Sequence, residues 1–154
     1  MNEAELIERE LTIRDLRVSR EVLDTRRSAI RWLALSFGII NPGESRLSAV
    51  AVLDALVYYQ FIKKQDPNVK ELTDYINNNW ESINEKTLRY HLLRLKNMGF
   101  VENSKGRFCF SPPSIGDRFD PQVWTRSTFE AFYTNIAAKV GEVVNGLKSK
   151  EQQV

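Results

Sequence analysis

The sequence predicts a mainly α protein with one small β hairpin. Apolar residues recur at helical spacing through most of the chain, and one such run, from Asn84 to Gly99, leads directly into two short β runs. A long final segment that opens with Asp120-Pro121 keeps an apolar repeat of seven residues. The chain has 154 residues, 42% of them apolar, so it is long enough for one core with extensions and too short for two large cores.

The run from Asn84 to Gly99 predicts a helix of about four turns. Asn84 can cap its start by accepting a backbone N–H of the first turn, and Gly99 stands where a left-handed residue ends a helix. Leu88, Leu92 and Leu95 recur at helical spacing and predict the buried face. The sequence therefore marks the start, the end and the inner face of this helix.

A β hairpin is predicted immediately after this helix. Phe100-Val101 opens the first strand, Asn103 to Gly106 supplies the turn, and the return strand holds Phe108 and Phe110 on one face. Between them stands Cys109, the single cysteine of the chain, which cannot form an internal disulfide or a Cys-rich zinc site. We expect it to be a small core residue.

Two further helices are predicted upstream. The segment Leu47 to Lys64 is apolar on most sides and is expected to be the central buried helix. Asn68 and Glu71 have the spacing of a capping box, and they open a shorter helix from Val69 to about Asn79. From Leu47 to Ser111 the order is thus helix, helix, turn, helix, strand, strand.

This part of the chain resembles the winged helix-turn-helix transcription regulators, the broad ArsR-, PadR- and MarR-like group that is common in bacteria and archaea. The resemblance rests on TLRYHLLRLKNMGFVE, a glycine-containing turn and RFCFS, which are similar to the recognition helix and the wing of that group. It covers Leu47 to Ser111, about half of the chain. It implies a winged helix-turn-helix domain that binds double-stranded DNA sequence-specifically and regulates transcription.

Positive charge is concentrated on the third helix and the hairpin. Residues 66–81 hold one Lys against four acids, whereas residues 82–107 hold six Lys or Arg against two Glu. The N-terminal turns of a recognition helix normally enter the major groove, and a wing reaches the neighbouring backbone. The residues predicted to contact DNA are Ser82, Asn84, Lys86, Thr87, Arg89, Tyr90, Arg94, Lys105 and Arg107. The alternative is that these cations only keep the domain in solution.

The N-terminal part, 1–43, is interpreted as a helical segment ahead of the DNA-binding domain at 44–118. One kinked helix or two helices are predicted from Asn2 to about Phe37, the second starting near Ser19 or Asp24. An arginine cluster in it can touch phosphates, but pairing with nearby acids is the commoner arrangement. The cluster consists of Arg26, Arg27 and Arg31.

The C-terminal part, 119–150, is interpreted as a dimerisation helix, capped by Asp120 and with Pro121 at its first position. Its apolar residues form two columns with a spacing of seven, which predicts a coiled-coil seam and a homodimer. An apolar stripe can also pack on its own core. The seam residues are Phe129, Tyr133, Ile136, Val140, Val143 and Leu147, and the following residues, Lys148 to Val154, are expected to be a frayed tail.

The residue types give little support for an enzyme. His91 is the single histidine, and the motifs HExxH, GxSxG, Walker A and the dinucleotide glycine pattern do not occur. We expect His91 to be partly buried under the wing, and we expect no catalytic residue, metal or cofactor. The opening residues do not resemble a signal peptide and no apolar run is long enough to span a membrane, so a cytoplasmic location is expected.

The sequence therefore predicts a winged helix-turn-helix transcription regulator that acts as a homodimer, with an N-terminal helical extension and a long C-terminal helix. The alternative is a winged-helix adaptor that binds proteins in a transcription or replication assembly without reading DNA. Large aromatic residues either fill the core or line a pocket for an unknown effector between the core and the last helix. They are Trp32, Trp80, Trp124, Tyr58, Tyr59 and Phe132.

Overall fold

The structure is a computed structural model that describes residues 2–151, with side chains described for 2–150. It is mainly helical with one two-stranded antiparallel sheet and a long C-terminal helix, which confirms the predicted mainly α character with a hairpin. The chain forms two compact units, one that ends at Ser111 and one that begins at Pro112. Among the described residues, no helix has the length and apolar character needed to cross a membrane.

The first unit contains five α-helices and the hairpin after a short 3₁₀ turn at Glu3–Leu6. The elements are α1 (Arg20–Asp24), α2 (Arg26–Ser36), α3 (Ser48–Val57), α4 (Val69–Asn79), α5 (Glu85–Asn97), β1 (Val101–Ser104) and β2 (Arg107–Phe110). Helix α3 contacts α2, α4, α5 and β2, and its residues 49–56 are all buried. It is the central helix that the sequence predicts.

The end of the central helix differs from the prediction of one α-helix through Lys64. After Val57 the backbone widens into a π-helical turn, Tyr58–Lys63. It ends because Lys64 is left-handed, with φ 55°, and the N–H groups of Lys64 and Gln65 both reach the carbonyl of Tyr59. The sequence carries no glycine or asparagine at this point to announce the left-handed residue.

The caps that the sequence predicts for α4 and α5 are confirmed. Asn68 and Glu71 form the reciprocal capping box of α4. The Asn84 side chain accepts the N–H of Thr87 at 2.8 Å, and Gly99 ends the helix with φ 84°. The hairpin follows at once, and its second strand also forms a bridge between Arg107 and Asn68.

The N-terminal segment is less helical than predicted. Residues 7–19 are not helical; they lie along the C-terminal end of α2 and the turn after it. The Arg14 N–H donates to the carbonyl of Ser36 at 2.9 Å, and the Ser36 hydroxyl donates to the carbonyl of Arg14 at 3.0 Å. These tertiary hydrogen bonds replace the local ones of a helix. Only α1 and α2, which are capped by Ser19 and Thr25, are helical as expected.

The second unit consists of an irregular stretch and one helix, α6 (Pro121–Glu151). Asp120 caps α6 through a bond from the N–H of Gln122 at 3.0 Å, as predicted. Lys148 to Glu151, expected to be frayed, continue the helix, and the remaining predicted tail lies outside the described residues. Trp124 in the first turns is buried.

Candidate nucleic-acid interface

Helix α5 has a fully buried face and an exposed face. Leu88, Leu92 and Leu95 are at most 3% exposed. On the other side the exposed residues follow one another at helical spacing. They are Glu85, Lys86, Arg89, Tyr90, Leu93, Lys96 and Asn97, with Tyr90 63% and Leu93 55% exposed. The sequence-predicted groove residues Lys86, Arg89 and Tyr90 therefore share one open face.

The start of α5 is a tight, well-defined turn. The N–H of Ile83 donates to the side-chain oxygen of Asn77 at 3.1 Å, which fixes the approach to the helix. Ser82 and Asn84 are exposed and Thr87 is half-buried. The side-chain oxygen of Asn84 accepts the capping N–H, and the NH2 of the same amide is the group that can donate to a phosphate.

Arg89 is held only weakly within the protein. Its guanidinium lies 3.4 Å from Glu85, one turn earlier, and both side chains are more than half exposed. An exposed pair of this kind contributes about 0.3–0.5 kcal/mol. Arg89 can therefore leave Glu85 for a stronger bidentate partner at small cost.

Arg94 does not belong to this open face, contrary to the sequence prediction. Its guanidinium donates to the carbonyl of Ile39 at 2.7 Å and lies 3.5 Å from that of Gly38. The left-handed turn at Gly38 directs these carbonyls toward α5. Arg94 thus ties the helix to the loop after α2, and its cationic group is engaged inside the protein.

The two residues predicted to contact DNA from the wing, Lys105 and Arg107, have different surroundings in the structure. Lys105 and Gly106 are the two central residues of the turn, with φ 53° and 82°, and Lys105 is exposed. Arg107 instead turns back and donates to the carbonyl of Asp66 at 2.8 Å, with the carboxylate of Glu71 at 3.4 Å. It anchors the hairpin to the start of α4, so Lys105 is the cation that the tip presents.

A buried carboxylate sets the geometry of the turn between α4 and α5. Asp54 on α3 is 2% exposed and pairs with Arg26 of α2 at 2.7 Å. The hydroxyl of Tyr75 and the indole N–H of Trp80, both on or next to α4, donate to its other oxygen at 2.9 Å. Burial and the bond to Asp54 raise the pKa of Tyr75 to about 12. An acid inside the apolar run 47–64 is the sequence signal for this cluster.

The arginine cluster of α2 is engaged in the protein. Arg26 pairs with Asp54, and this pairing outweighs burial and raises the pKa of the Arg26 guanidinium. Arg27 stacks on the ring of Trp80, 4.0 Å from its centre, and donates to the carbonyl of Asn79. Arg31 donates to the carbonyl of Glu44 at 2.9 Å. Only one of the three pairs with an acid, so the expected surface ion pairs are largely replaced by tertiary bonds.

The aromatic residues also have separate structural contacts. Tyr58 stacks on Tyr75 with ring centres 4.6 Å apart, and Tyr59 meets both rings edge-on. The indole N–H of Trp32 donates to the carbonyl of Arg17 at 3.0 Å. Tyr58 and Tyr59 therefore lie together beside Tyr75, whereas Trp32 is bonded to the segment ahead of α1.

His91 lies on the flank of α5 and is half-buried. Its Nε2 is 2.9 Å from the hydroxyl of Ser48 at the start of α3, and the ring of Tyr90 meets it edge-on. Burial and the nearby charge of Arg94 lower its pKa. The partner is thus the start of the central helix and not the wing, which corrects the expected position.

A polar cleft of about 730 Å³ adjoins the start of α5. It lies between the residues that lead into α3 and the turn that leads into α5, and its walls include Arg46, Ser48, Asn79 and Ser82. Arg46 is exposed and was not among the sequence-predicted contacts. Only the distant segment 45–48 brings it here, so helical spacing on α5 could not have found it.

The predicted seam of α6 is exposed along the second unit. Phe129 is half-buried, and the other seam residues range from 43% to 72% exposed. They are Tyr133, Ile136, Val140, Val143 and Leu147, joined by Val144 at 49%.

Comparisons of the chain with protein-family models, with curated proteins and with solved structures give no match. Within the described residues, no group of three His, Cys, Asp or Glu side chains is arranged to hold a metal ion.

Proposed function

We propose that this protein is a sequence-specific DNA-binding regulator of transcription, that its first unit is a winged helix-turn-helix domain, and that it acts as a homodimer. The observation that carries the proposal is the open face of α5, on which Lys86, Arg89 and Tyr90 stand together opposite a fully buried leucine face. A helix with such a face fits the major groove, where Arg forks onto guanine and apolar groups meet the thymine methyl.

The hairpin supports the same proposal. It follows α5 directly, presents Lys105 at its tip, and is held beside α4 by the bridge from Arg107 to Asn68. Lys105 thus lies on the two-residue turn of a hairpin whose first strand contacts α5, and a cation at such a tip can meet the phosphate backbone as a wing does. Arg46 adds a further exposed cation beside the start of α5.

Selection from a pool of random duplexes tests the proposal, followed by affinity measurement on the selected site. Arg89→Ala should weaken binding to that site by about 1–3 kcal/mol and relax the preference at one base position. Arg20→Ala removes an exposed arginine of α1 and is the matched control, which should leave the preference unchanged. Equal weakening of Arg89→Ala on all duplexes would reduce Arg89 to a phosphate contact.

The second candidate is a protein-binding adaptor, favoured by the exposed side chains of Tyr90 and Leu93 on the same face. Such residues form the centre of protein interfaces, where charged residues are depleted. The two candidates differ in their response to DNA. A protein that binds no duplex even at low salt would support the adaptor.

A further inference from the structure

The second half of α6 has the composition of a helix that needs a partner. Every residue from Tyr133 to Lys150 is exposed. The stretch contains Gly141, Gly146 and three valines, all of which form helices less readily than alanine or leucine. Most helical stability in proteins comes from packing of an apolar face, and an isolated helix of this kind is marginal in water.

We propose that the α6 helices of two copies of the chain pair in antiparallel orientation, with Ala138 at the centre of the overlap. This inference rests on the homodimer of the proposed function and adds its geometry. In a coiled coil that runs antiparallel, each column of the seam faces the other column. Tyr133 then lies against Val143 of the second copy, Ile136 against Val140, and Phe129 against Leu147, so all six seam residues are covered.

Side-chain volume favours this orientation. In a parallel pair each seam residue would meet its own copy, with two aromatic layers, Phe129 and Tyr133, at one end. Two valine layers, Val140 and Val143, would lie toward the other end, so the seam would taper. Interiors pack best when large residues face small ones in each layer. The antiparallel pair spreads the two rings over both ends.

A glycine beside the seam points the same way. In the antiparallel pair the position facing Phe132 is Gly146 of the second copy, which flanks the seam on the same side. A Cβ built at Gly146 meets nothing within 4 Å, so open space lies over its backbone within the single chain. A phenylalanine ring can occupy this space in the pair, which gives a reason for a glycine inside a helix.

Contacts between charged side chains do not favour one orientation of the pair over the other. The antiparallel pair brings Lys139 beside its own copy near the centre. The parallel pair does the same with Lys150 within the seam column at the end. Each orientation therefore carries one contact between like charges, which is small for exposed side chains. The decision rests on packing.

Disulfide cross-linking of full-length protein tests the orientation. Two variants, Phe129→Cys and Leu147→Cys, are prepared separately with tags of different size, mixed and oxidised. The antiparallel pair should give the mixed disulfide and almost no product from either variant alone. Cross-linking of each variant with itself would overturn the antiparallel orientation. Unsubstituted protein is the control, because its single cysteine, Cys109, is buried.

The orientation can also be measured with a spin label that leaves all six seam residues unchanged. A spin label at Ser149→Cys, on the exposed side of α6, reports the distance to its own copy. The antiparallel pair separates the two labels by on the order of 33 Å along the axis, from the rise of 1.5 Å per residue. A distance near that of two adjacent helices, about 10 Å plus the label arms, would overturn the orientation. A monomer in sedimentation at micromolar concentration would overturn the dimer as well, whereas DNA binding by that monomer would leave the DNA-binding proposal standing.

Discussion

Asp54 shows how a single residue determines where the candidate interface lies. It is buried on α3, forms an ion pair with Arg26 of α2, and accepts hydrogen bonds from Tyr75 of α4 and from Trp80 in the turn before α5. Three elements are thereby fixed at one carboxylate. Because a buried charge without partners is costly, the three partners and the carboxylate stabilise one another's positions.

Replacing Asp54 should therefore destabilise the first unit strongly. In Asp54→Asn the amide oxygen can still accept from Tyr75 and Trp80, but the charge that Arg26 pairs with is lost and the amide NH2 faces the Arg26 guanidinium, donor against donor. We expect a loss of on the order of 3 kcal/mol in the free energy of unfolding, measured by urea denaturation. Asp74→Asn is the control, since Asp74 is 58% exposed in a surface pair with Lys70. Equal effects of the two substitutions would show that the buried cluster has no special role.

His91 should make stability depend on pH. Its pKa is lowered in the folded protein, so the unfolded chain binds the proton more readily. The free energy of unfolding should then fall as pH drops below about 6.5, the ordinary value of histidine, and level off below the folded pKa. His91→Gln should remove this part of the dependence in chemical denaturation at several pH values. An identical pH profile for the variant would contradict the account.

At the scale of elements, the hairpin tip offers a test that leaves the fold intact. Lys105 is left-handed, and asparagine tolerates that backbone conformation well. Lys105→Asn should weaken binding to every duplex alike and reduce the slope of log K against log salt by about one phosphate equivalent. An unchanged slope would mean that the tip does not meet the DNA backbone.

Arg107 serves as the contrasting position at the other end of the turn. Its guanidinium is held by the carbonyl of Asp66 and by Glu71. Arg107→Ala should lower stability by about 1 kcal/mol and change the salt slope little. A full phosphate equivalent lost in this variant, in the same salt titration, would return Arg107 to the interface.

The elements with local signals could be predicted from the sequence. The capping box of Asn68 and Glu71, the Asn84 cap and the left-handed Gly99 act over three or four residues, so the sequence alone contains them. The open face of α5 follows from the spacing of its leucines. These signals located the helices, the hairpin and the residues Lys86, Arg89 and Tyr90.

Features that depend on distant partners were not predictable in this way. Residues 7–19 are not helical, and their backbone is instead bonded to a distant element through the hydrogen bonds between Arg14 and Ser36. Arg94 and Arg107 were predicted from the sequence to contact DNA, but their guanidinium groups donate to the carbonyls of Ile39 and Asp66, in other parts of the chain. Helical periodicity describes one element at a time and carries no information on such partners.

At the scale of the whole molecule, the proposed homodimer links the seam of α6 to the affinity for DNA. Ile136→Asp combined with Val140→Asp should give a monomer in sedimentation, because four charges, two from each copy, would be buried at the centre of the pair. Its first unit should remain folded, while affinity for the selected site falls. Thr134→Asp with Asn145→Asp is the control, since both side chains lie on α6 away from the seam. A monomeric control, or a dimeric seam variant, would contradict the assignment.

A twofold dimer also predicts symmetry in the target. The selected sites should be inverted repeats whose half-sites lie a whole number of helical turns apart, roughly 34–36 Å for each turn. Selection of a single asymmetric half-site by the intact protein would mean that only one first unit engages the duplex at a time.

The most direct measurement of sequence-specific DNA binding is a salt titration of affinity on the selected duplex and on a scrambled duplex of equal length. We predict that both affinities fall linearly on a log–log plot as salt rises, because phosphate contacts release counterions. The selected duplex should remain at least about 10³-fold tighter across the titration, since base contacts on α5 add to the phosphate contacts. Equal affinities for the two duplexes at every salt concentration, or no binding to either, would contradict the account.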